Sequence, residues 1–262
     1  MILFIFEGAS REVCIFKTLE YCYFSNKKES RIYSYNNNIY NLYKQMTESD
    51  FNEDVITVLK NKLINDKDNE LTDIKRRSDF SEVYLFFDYD SHNNSKNTIS
   101  NLQIKEMLDF FSDETSDYGK LYINYPMVES IYYMKKELPD DMYYTYTSEI
   151  SLGKKFKEKV NTDSYYKNLD FITFKMNKKT QSIKIPENKK QIEYVKQNWE
   201  YLIEMNVKKA NYICDCLNEY PIKMSNISQK NIFDNQITKY IESKSQISIL
   251  NSFPLFIYEY YT

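Results

Sequence analysis

Residues 2–8 read Ile-Leu-Phe-Ile-Phe-Glu-Gly, and residues 83–90 read Val-Tyr-Leu-Phe-Phe-Asp-Tyr-Asp. In each stretch an apolar run with the length and residue types of a buried strand ends at a carboxylate. A side chain that follows a strand of an open α/β sheet projects into the crevice where such sheets bind ligands. Glu7, Asp88 and Asp90 are therefore candidate site residues, and strand alternation puts Asp88 and Asp90 on the same side of the chain.

Three carboxylates in one crevice raise one another's pKa unless a cation lies among them. Hard divalent cations take oxygen ligands of this kind. We therefore expect Mg²⁺ or Mn²⁺ at Glu7, Asp88 and Asp90, with chemistry on phosphate groups. In this interpretation Glu7 acts as a general acid or base, and the two aspartates hold the ion.

Strand and helix patterns alternate along the first 140 residues, which predicts an α/β fold with a mainly parallel sheet flanked by helices. The predicted strands cover residues 1–6, 31–35, 82–87 and 120–124, and the predicted helices cover 12–24, 39–47, 52–65, 97–111 and 127–138. Ser10 is the predicted cap of the first helix. In the helix 97–111, the apolar face is assigned to Leu102, Met107, Leu108 and Phe111.

The second half of the chain has a different pattern. Long helices are predicted at 188–217 and 227–243, and no linker rich in glycine, serine or proline separates this half of the chain from the first. We divide the chain into a catalytic domain at 1–138 and a mostly helical region at 139–262 that packs on it.

Composition excludes several classes of function. The chain of 262 residues has only 3 glycines and carries neither a G-x-G-x-x-G nor a Walker A sequence, so a nucleotide-binding loop of these kinds is not expected. Four cysteines without a C-x-x-C pair, and a single histidine, argue against a zinc site. We see neither a signal peptide nor an apolar run long enough for a membrane span, so we expect a cytoplasmic protein that does not contact a membrane.

The order of these motifs resembles the Toprim domain. Glu7-Gly8 after the first strand and Asp88-Tyr89-Asp90 after the third carry the resemblance, which covers about residues 1–138. The strand at 120–124 is followed by Glu129, whose placement is similar to a later acidic position of OLD-like Toprim nucleases. The resemblance implies a Toprim-like sheet and a catalytic role for Glu129 as a further ligand or as a base that orients water.

The resemblance also suggests a second acid near the first. OLD-like members often have one four residues after the first glutamate, where this chain has Arg11, and the acid comes one residue later, at Glu12. We include Glu12 among the metal ligands, although the shift puts a two-metal mechanism in doubt.

The function implied by the resemblance is a metal-dependent nuclease that cleaves RNA, with tRNA as one candidate, or DNA. The chain is similar to stand-alone Toprim effectors of bacterial antiphage defence, such as those of the PARIS system, which act as toxins beside an ABC-type ATPase partner. We expect nucleic acid as a partner, an ATPase partner as a regulator, and leave a homo-oligomer open. The alternatives are a non-catalytic, metal-binding interaction subunit of a defence or repair complex, and a primase-like nucleotidyl transferase.

Some further residues have two interpretations each. Arg11 and the lysine-rich stretch 154–159 are either contacts for a nucleic-acid backbone or solvated surface charges. His92 is either a phosphate contact or a loop residue. The tyrosines of the stretch 143–146 either stack on bases or pack inside the protein.

Overall fold

The computed structural model describes residues 1–24, 29–62, 76–89, 99–177 and 179–262. Asp90 and His92, which the sequence singled out, lie outside the described residues. The main sheet is built from β1 (Ile2–Phe6), β2 (Ser30–Ser34), β3 (Glu82–Asp88), β4 (Ser112–Asp113) and β5 (Gly119–Asn124). Two short antiparallel pairs are formed by β6 (Thr147–Glu149) with β9 (Gln246–Ser248), and by β7 (Lys175–Asn177) with β8 (Ser182–Lys184).

The α-helices are α1 (Arg11–Leu19), α2 (Ile39–Glu48), α3 (Val55–Lys62), α4 (Ile99–Phe110), α5 (Phe156–Asp163), α6 (Lys189–Asp215), α7 (Gln229–Asn235), α8 (Glu242–Lys244) and α9 (Ser252–Tyr261). Short 3₁₀ segments lie at Arg77–Asp79, Val128–Tyr132, Tyr143–Thr145, Ile150–Lys155 and Met224–Ile227. Segments of π-helix lie at Glu20–Phe24 and Gln236–Ile241. The predicted α/β class, with a mainly parallel sheet, flanking helices and a helical C-terminal region, is confirmed.

The order of strands in the main sheet places a crevice between β1 and β3. The order is β2-β1-β3-β5-β4, and every pairing is parallel except that of β4 with β5. After β1 the chain turns first to one side, to form β2, and then to the other, to form β3. Such a reversal of direction is the place where open α/β sheets bind ligands, beyond the carboxyl ends of the strands.

Both faces of the sheet are covered, which explains why its central strands are apolar without alternation. On one face Leu3, Leu85 and Ile123 belong to a cluster that includes side chains of α2, α4 and α7. On the other face Phe4 and Phe86 belong to a second cluster, with side chains of α1, α5 and α9. The ring of Phe86 stacks on Phe253 of α9 at 4.6 Å between centroids, a contact of the kind that contributes ~0.5–1.5 kcal/mol beyond area burial.

Helix α6 joins these two clusters. Its Trp199 and Leu202 belong to the cluster that contains Phe4, whereas its Val207 and Ile213 belong to the cluster that contains Leu3. Residues on both sides of position 138 thus contribute to each cluster. The division of the chain at 138 stays a prediction.

The segment after β5 does not form the predicted helix at 127–138, and this prediction was wrong. Only a 3₁₀ segment at Val128–Tyr132 forms, and four consecutive residues, 131–134, are buried, so there is no single apolar stripe. The carboxylate of Asp140 then accepts the backbone N–H groups of Lys135 and Lys136, at 2.9 and 3.2 Å, and holds the chain in a turn.

Two smaller predictions about helices were also wrong. Ser10 precedes α1, but within the described residues its side chain accepts no capping hydrogen bond. Leu102 is 68% exposed, because the buried face of α4 is set by Ile104, Met107 and Leu108. Residues two apart on a helix do not share a face, so Leu102 cannot lie beside Ile104.

Candidate active-site cleft

Glu7 and Asp88 lie side by side at the carboxyl ends of β1 and β3. The backbone N–H of Glu7 donates to the carbonyl of Phe86 at 3.0 Å, which continues the parallel ladder by one residue. The Oε2 atom of Glu7 in turn accepts the backbone N–H of Asp88 at 3.0 Å. The two acidic residues that the sequence paired are therefore brought together. The backbone of Glu7 is bonded to β3, and the side chain of Glu7 is bonded to the backbone of Asp88.

Gly8 makes room for a third acid. Glu12 lies in the first turn of α1 and is 8% exposed. A Cβ atom on Gly8 would come within 2.9 Å of the Oε1 atom of Glu12, closer than ordinary van der Waals contact. The glycine of the Glu-Gly motif therefore lets the Glu12 carboxylate turn back over the loop that follows β1.

Burial raises the pKa of the Glu12 carboxyl, and hydrogen bonds from the backbone of Glu12 and of Gly8 oppose that rise. The positive charges of Lys157 and Arg11 also act to lower the pKa of this carboxyl.

The pKa of the Asp88 carboxyl in the cleft departs strongly from its ordinary value. This pKa is raised, first by burial and then by the negative charges of Glu7 and Glu12. A hydrogen bond from the side chain of Asn124 works in the opposite direction. This mutual repulsion shows that the three acids lie near one another, as the sequence predicted for Glu7 and Asp88.

A buried polar network behind Asp88 was not predicted. Nδ2 of Asn124, at the end of β5, donates to Oδ1 of Asp88 at 3.1 Å. Oδ1 of Asn124 accepts from the backbone N–H and the hydroxyl of Ser252, at 3.1 and 2.8 Å. Asn251, the N-cap of α9, donates to the carbonyl of Val128 at 3.2 Å and to the hydroxyl of Ser130 at 3.0 Å. The start of α9 therefore supports the ends of both β5 and the 3₁₀ segment.

Glu129 belongs to that 3₁₀ segment, and its side chain is fully buried. Its Oε1 atom forms ion pairs with Arg11 and, at 3.2 Å, with Lys157. Its Oε2 atom has no hydrogen-bond partner among the residues that the structure describes. The structure thus brings Glu129 to the predicted place, but its immediate contacts are two cations rather than the other acids.

The four acids and the two cations that pair with Glu129 line one cleft of about 870 Å³. Its acidic wall contains Glu7, Glu12 and Asp88, and its basic side contains Arg11, Lys154 and Lys157. The remaining lining residues are Gly8, Ala9, Ser10, Asn36, Asn37, Asn38, Met127, Val128 and Glu129. The cleft therefore contains carboxylates that suit a cation and, close to them, positive side chains that suit an anionic ligand.

The two cleft lysines reach this position through a sharp bend at Gly153. Gly153 has φ 46° and ψ −125°, a conformation that side chains with a Cβ rarely adopt. The bend lies within the 3₁₀ segment Ile150–Lys155, just before α5, and Lys154 and Lys157, which follow it, line the cleft. From the sequence, the stretch 154–159 could not be distinguished from a solvated charge run.

The cleft contains ligand atoms of the type that divalent cations bind. Glu7, Glu12 and Asp88 offer carboxylate oxygens. The pKa of Asp88 is raised first by burial and then by the negative charges of Glu7 and Glu12, which a cation would neutralise. Among the residues that the structure describes, no group of three acidic, histidine or cysteine side chains is spaced to hold a metal. The predicted fourth acid, Asp90, is outside those residues.

The tyrosine stretch 143–146 is mainly an internal packing element. Tyr143 and Tyr146 are 1% and 8% exposed. The backbone carbonyls of both accept hydrogen bonds from the buried amine of Lys209, at 2.9 and 2.6 Å. Stacking of Tyr143 and Tyr146 on bases is therefore excluded in this conformation.

The chain matches no protein-family model, and comparisons with the curated proteins and with the solved structures return no match. Within the described ranges, none of the helices has both the length and the apolar character that crossing a membrane demands.

Proposed function

We propose that this chain is a divalent-metal-dependent nuclease with a Toprim-like domain. The observation that carries the proposal is the position of Glu7, Glu12 and Asp88 on one wall of a cleft, at the point where the strand order reverses. An acidic cluster faced by cations is suited to a phosphodiester, whose charge the cations attract and whose reaction a divalent ion assists.

The roles of Glu7, Glu12 and Asp88 follow from their placement in the cleft, and that of Asp90 from its place in the Asp-Tyr-Asp motif. Glu7, Glu12 and Asp88, with Asp90, would hold Mg²⁺ or Mn²⁺, and the bound ion would supply Lewis-acid stabilisation of charge on the phosphoryl group. Glu7, fixed by the Asp88 backbone, serves as the general acid or base. Asn124 orients Asp88 through its side-chain amide.

The substrate class is RNA, including tRNA, or DNA, and the cellular role is a toxic effector of antiphage defence. This part of the proposal is supported by the resemblance of Glu7-Gly8 and Asp88-Tyr89-Asp90 to Toprim nucleases. It includes control by an ABC-type ATPase partner in the cytoplasm, and a homo-oligomer is compatible with it.

The direct test is cleavage of labelled single-stranded DNA and tRNA by purified protein in Mg²⁺ or Mn²⁺. Glu7→Gln should lower kcat by ~10²–10⁴, the usual contribution of an acid–base group, with KM little changed. Glu204→Gln is a suitable control, because Glu204 is a half-exposed acid of α6 that pairs with Lys208 on the same helix. If Glu7→Gln folds and cleaves like the wild type, the proposal fails.

Since a regulated effector can be inactive in isolation, metal binding provides a second test. Calorimetric titration with Mn²⁺ should show binding to the wild type and to Glu204→Gln. The double substitution Asp88→Asn and Asp90→Asn should abolish it while the melting curve stays cooperative. Absence of Mn²⁺ binding by the wild type at millimolar concentration would contradict the metal-dependent mechanism.

A second candidate function is a non-catalytic interaction subunit. The observation in its favour is that Glu129 is neutralised by Arg11 and Lys157, so part of the cleft's charge is satisfied internally. In that case Glu7→Gln should leave protection against phage unchanged in cells, at unchanged protein level. Loss of protection favours the nuclease.

A further inference from the structure

In the ion cluster of Arg11, Glu129 and Lys157, the acid is buried and the two cations are partly exposed. The side chain of Glu129 is 0% exposed, whereas those of Arg11 and Lys157 are 44% and 53% exposed. Two positive charges share one negative charge, so the cluster keeps a net positive charge. Both cations line the cleft, and each has N–H groups beyond those that Glu129 binds.

Three separate elements hold this cluster in place. Arg11 begins α1, and Glu129 lies in the 3₁₀ segment that Asn251 supports from behind. Lys157 lies in the first turn of α5, which is anchored by buried Phe156 against the ring of Tyr133 at 5.7 Å between centroids. Cations fixed by different parts of the fold are pre-positioned, so less side-chain entropy is lost when they bind a ligand.

The orphaned oxygen of Glu129 is a second, independent sign of function. An ordinary buried carboxylate has hydrogen bonds to both oxygens, because desolvation without partners is costly. Here Oε2 is buried without a partner among the described residues, while Oε1 is bound by both cations. A buried ion pair with one unsatisfied oxygen contributes little to the free energy of folding. Removing one partner of such a pair costs more free energy than forming the pair gains.

The position of the cluster indicates what it recognises. Arg11 and Lys157 line the same cleft as Glu7 and Asp88, and Lys154 adds a third cation to that lining. An anion bound by these cations would lie next to the acidic wall where a divalent ion is expected. A guanidinium and an ammonium together suit the tetrahedral oxygens of a phosphate group.

We propose that Arg11 and Lys157 form a phosphate-binding subsite, and that Glu129 is a positioning residue that aims both cations at one phosphate of a nucleic-acid backbone. The identification of the ligand as nucleic acid rests on the proposed function. The subsite itself requires neither metal nor cleavage. Glu129 accordingly acts through Arg11 and Lys157, instead of ligating the metal as its sequence position suggested.

Binding without cleavage tests the subsite separately from the nuclease. The probe is a fluorescein-labelled 12-mer, as single-stranded DNA and as RNA of the same sequence, measured by anisotropy in EDTA. Arg11→Gln and Lys157→Gln should each weaken binding about tenfold or more, as expected for a charge-assisted hydrogen bond. Each should also reduce the slope of log K against log salt by about 0.7, the value for one phosphate contact to a single strand.

Lys159→Gln is the matched control. Lys159 is on the same helix as Lys157 but pairs with Asp163 at 2.9 Å, one turn along, and does not line the cleft. The Lys159→Gln substitution removes the same charge from the same helix. It should leave the affinity for the 12-mer and the salt slope close to those of the wild type. Equal effects of Lys157→Gln and Lys159→Gln would show that only overall charge matters, and would overturn the subsite.

Two further arms identify the ligand and the role of Glu129. A methylphosphonate 12-mer, which lacks backbone charge, should bind wild type and Arg11→Gln equally weakly. If inorganic phosphate competes for the subsite as effectively, per phosphate group, as the 12-mer, the ligand is a free phosphate and the nucleic-acid assignment is wrong. Glu129→Gln should weaken binding of the 12-mer, and Glu129→Asp should partly restore it.

The sign of the Glu129→Gln effect is decisive, because removal of a negative charge by itself favours an anionic ligand. Tighter binding by Glu129→Gln would mean that Glu129 competes with phosphate instead of positioning the cations. If Glu129→Gln does not fold, the arginine and lysine variants, which alter partly exposed side chains, still decide the subsite. Loss of cleavage in Glu7→Gln with normal 12-mer binding in EDTA separates the two proposals.

Discussion

The side-chain amide of Asn124 donates to the carboxylate of Asp88 at 3.1 Å, while its oxygen accepts two hydrogen bonds from Ser252, which lies 128 residues further along the chain. The end of β5 thereby connects the acidic wall of the cleft to the first residue of α9. Both Asn124 and Ser252 are almost completely buried. The C-terminal region is therefore a structural part of the candidate site, because Asp88 is oriented by a side chain that this region holds.

Asn124→Ala should destabilise the protein by about 1–3 kcal/mol for each buried donor of Ser252 that loses its acceptor. The measurement is the free energy of unfolding from urea denaturation. Ser252→Ala removes only the hydroxyl and keeps the backbone N–H bond to Asn124, so its effect should be smaller. Equal stability of Asn124→Ala and the wild type would show that the hydrogen bonds to Asn124 contribute nothing net.

Gly8→Ala should impair the cleft with little cost in stability. Its new Cβ meets only the end of the Glu12 side chain, which can rotate away, so Glu12 leaves the acidic wall while the fold remains. We expect weaker Mn²⁺ binding with a melting temperature close to that of the wild type.

Gly119→Ala is the informative contrast for that experiment. Gly119 has φ 87°, and a Cβ there would lie 2.7 Å from the backbone oxygen of Val83. The neighbour that must move is a backbone atom of a central strand, so this variant should be strongly destabilised. Comparable melting temperatures for the two variants would contradict our account of Gly8.

In the metal-free protein, the contribution of Asp88 to stability should decrease as the pH rises above about 4. The folded pKa of Asp88 is raised above the unfolded value of about 3.9, so the folded state binds the extra proton in the window between them. The stability from that proton is fully present below pH 4 and is lost as the pH rises through the folded pKa. Asp88→Asn should therefore be more stable than the wild type at pH 7 in EDTA, and this advantage should disappear near pH 4.

Asp163→Asn provides a control of opposite sign. A hydrogen bond from Lys159 lowers the pKa of the Asp163 carboxyl, so ionised Asp163 stabilises the folded state above its unfolded pKa. Its replacement should lower stability at pH 7 and have less effect in acid. Urea denaturation of both variants from pH 4 to 8 checks the two signs in one experiment.

Lys209→Met should destabilise the protein although it introduces an apolar side chain into the core. The amine of Lys209 donates to the carbonyls of Tyr143 and Tyr146, and each would lose a buried donor, at a cost of about 1–3 kcal/mol per group. Lys208→Met, which alters an exposed neighbour paired with Glu204, should be nearly neutral.

The effect of Lys209→Met should also depend on pH. Burial lowers the pKa of Lys209 well below its ordinary value, so the unfolded chain binds more protons between that lowered value and about 10.4. Wild-type stability should gain a contribution as the pH rises through this window, and the variant should lack it. The wild type's advantage should therefore widen between pH 7 and 10 in chemical denaturation.

The strand ends were predictable because they depend on local patterns. The apolar runs before Glu7 and Asp88 identified β1 and β3, and parallel pairing of those strands then forced the two acids together. Glu12 was also found from the sequence, although the reason for its placement, the missing Cβ of Gly8, is visible only in three dimensions.

The supporting residues could not be predicted because their contacts are remote in sequence. Asn124 had no local feature that distinguished it from other asparagines, and its partner Ser252 lies 128 residues further along the chain. Lys157 lies in a charge run, and only the bend at Gly153 and the burial of Phe156 bring it to Glu129. Glu129 was placed correctly, but a helix was expected where the chain forms a 3₁₀ segment, so its contacts with cations were missed.

The dependence of Asn124 on Ser252 also sets a delay during synthesis. At ~5–20 residues per second, a ribosome needs roughly 6–26 seconds to proceed from residue 124 to residue 252. During that time β1, β3 and β5 can already pair, but Asp88 has no fixed amide partner and Glu129 lacks the support of Asn251. A nascent chain therefore carries its acids long before it carries an ordered cleft, and activity that needs the ordered cleft begins only after α9 has started to form.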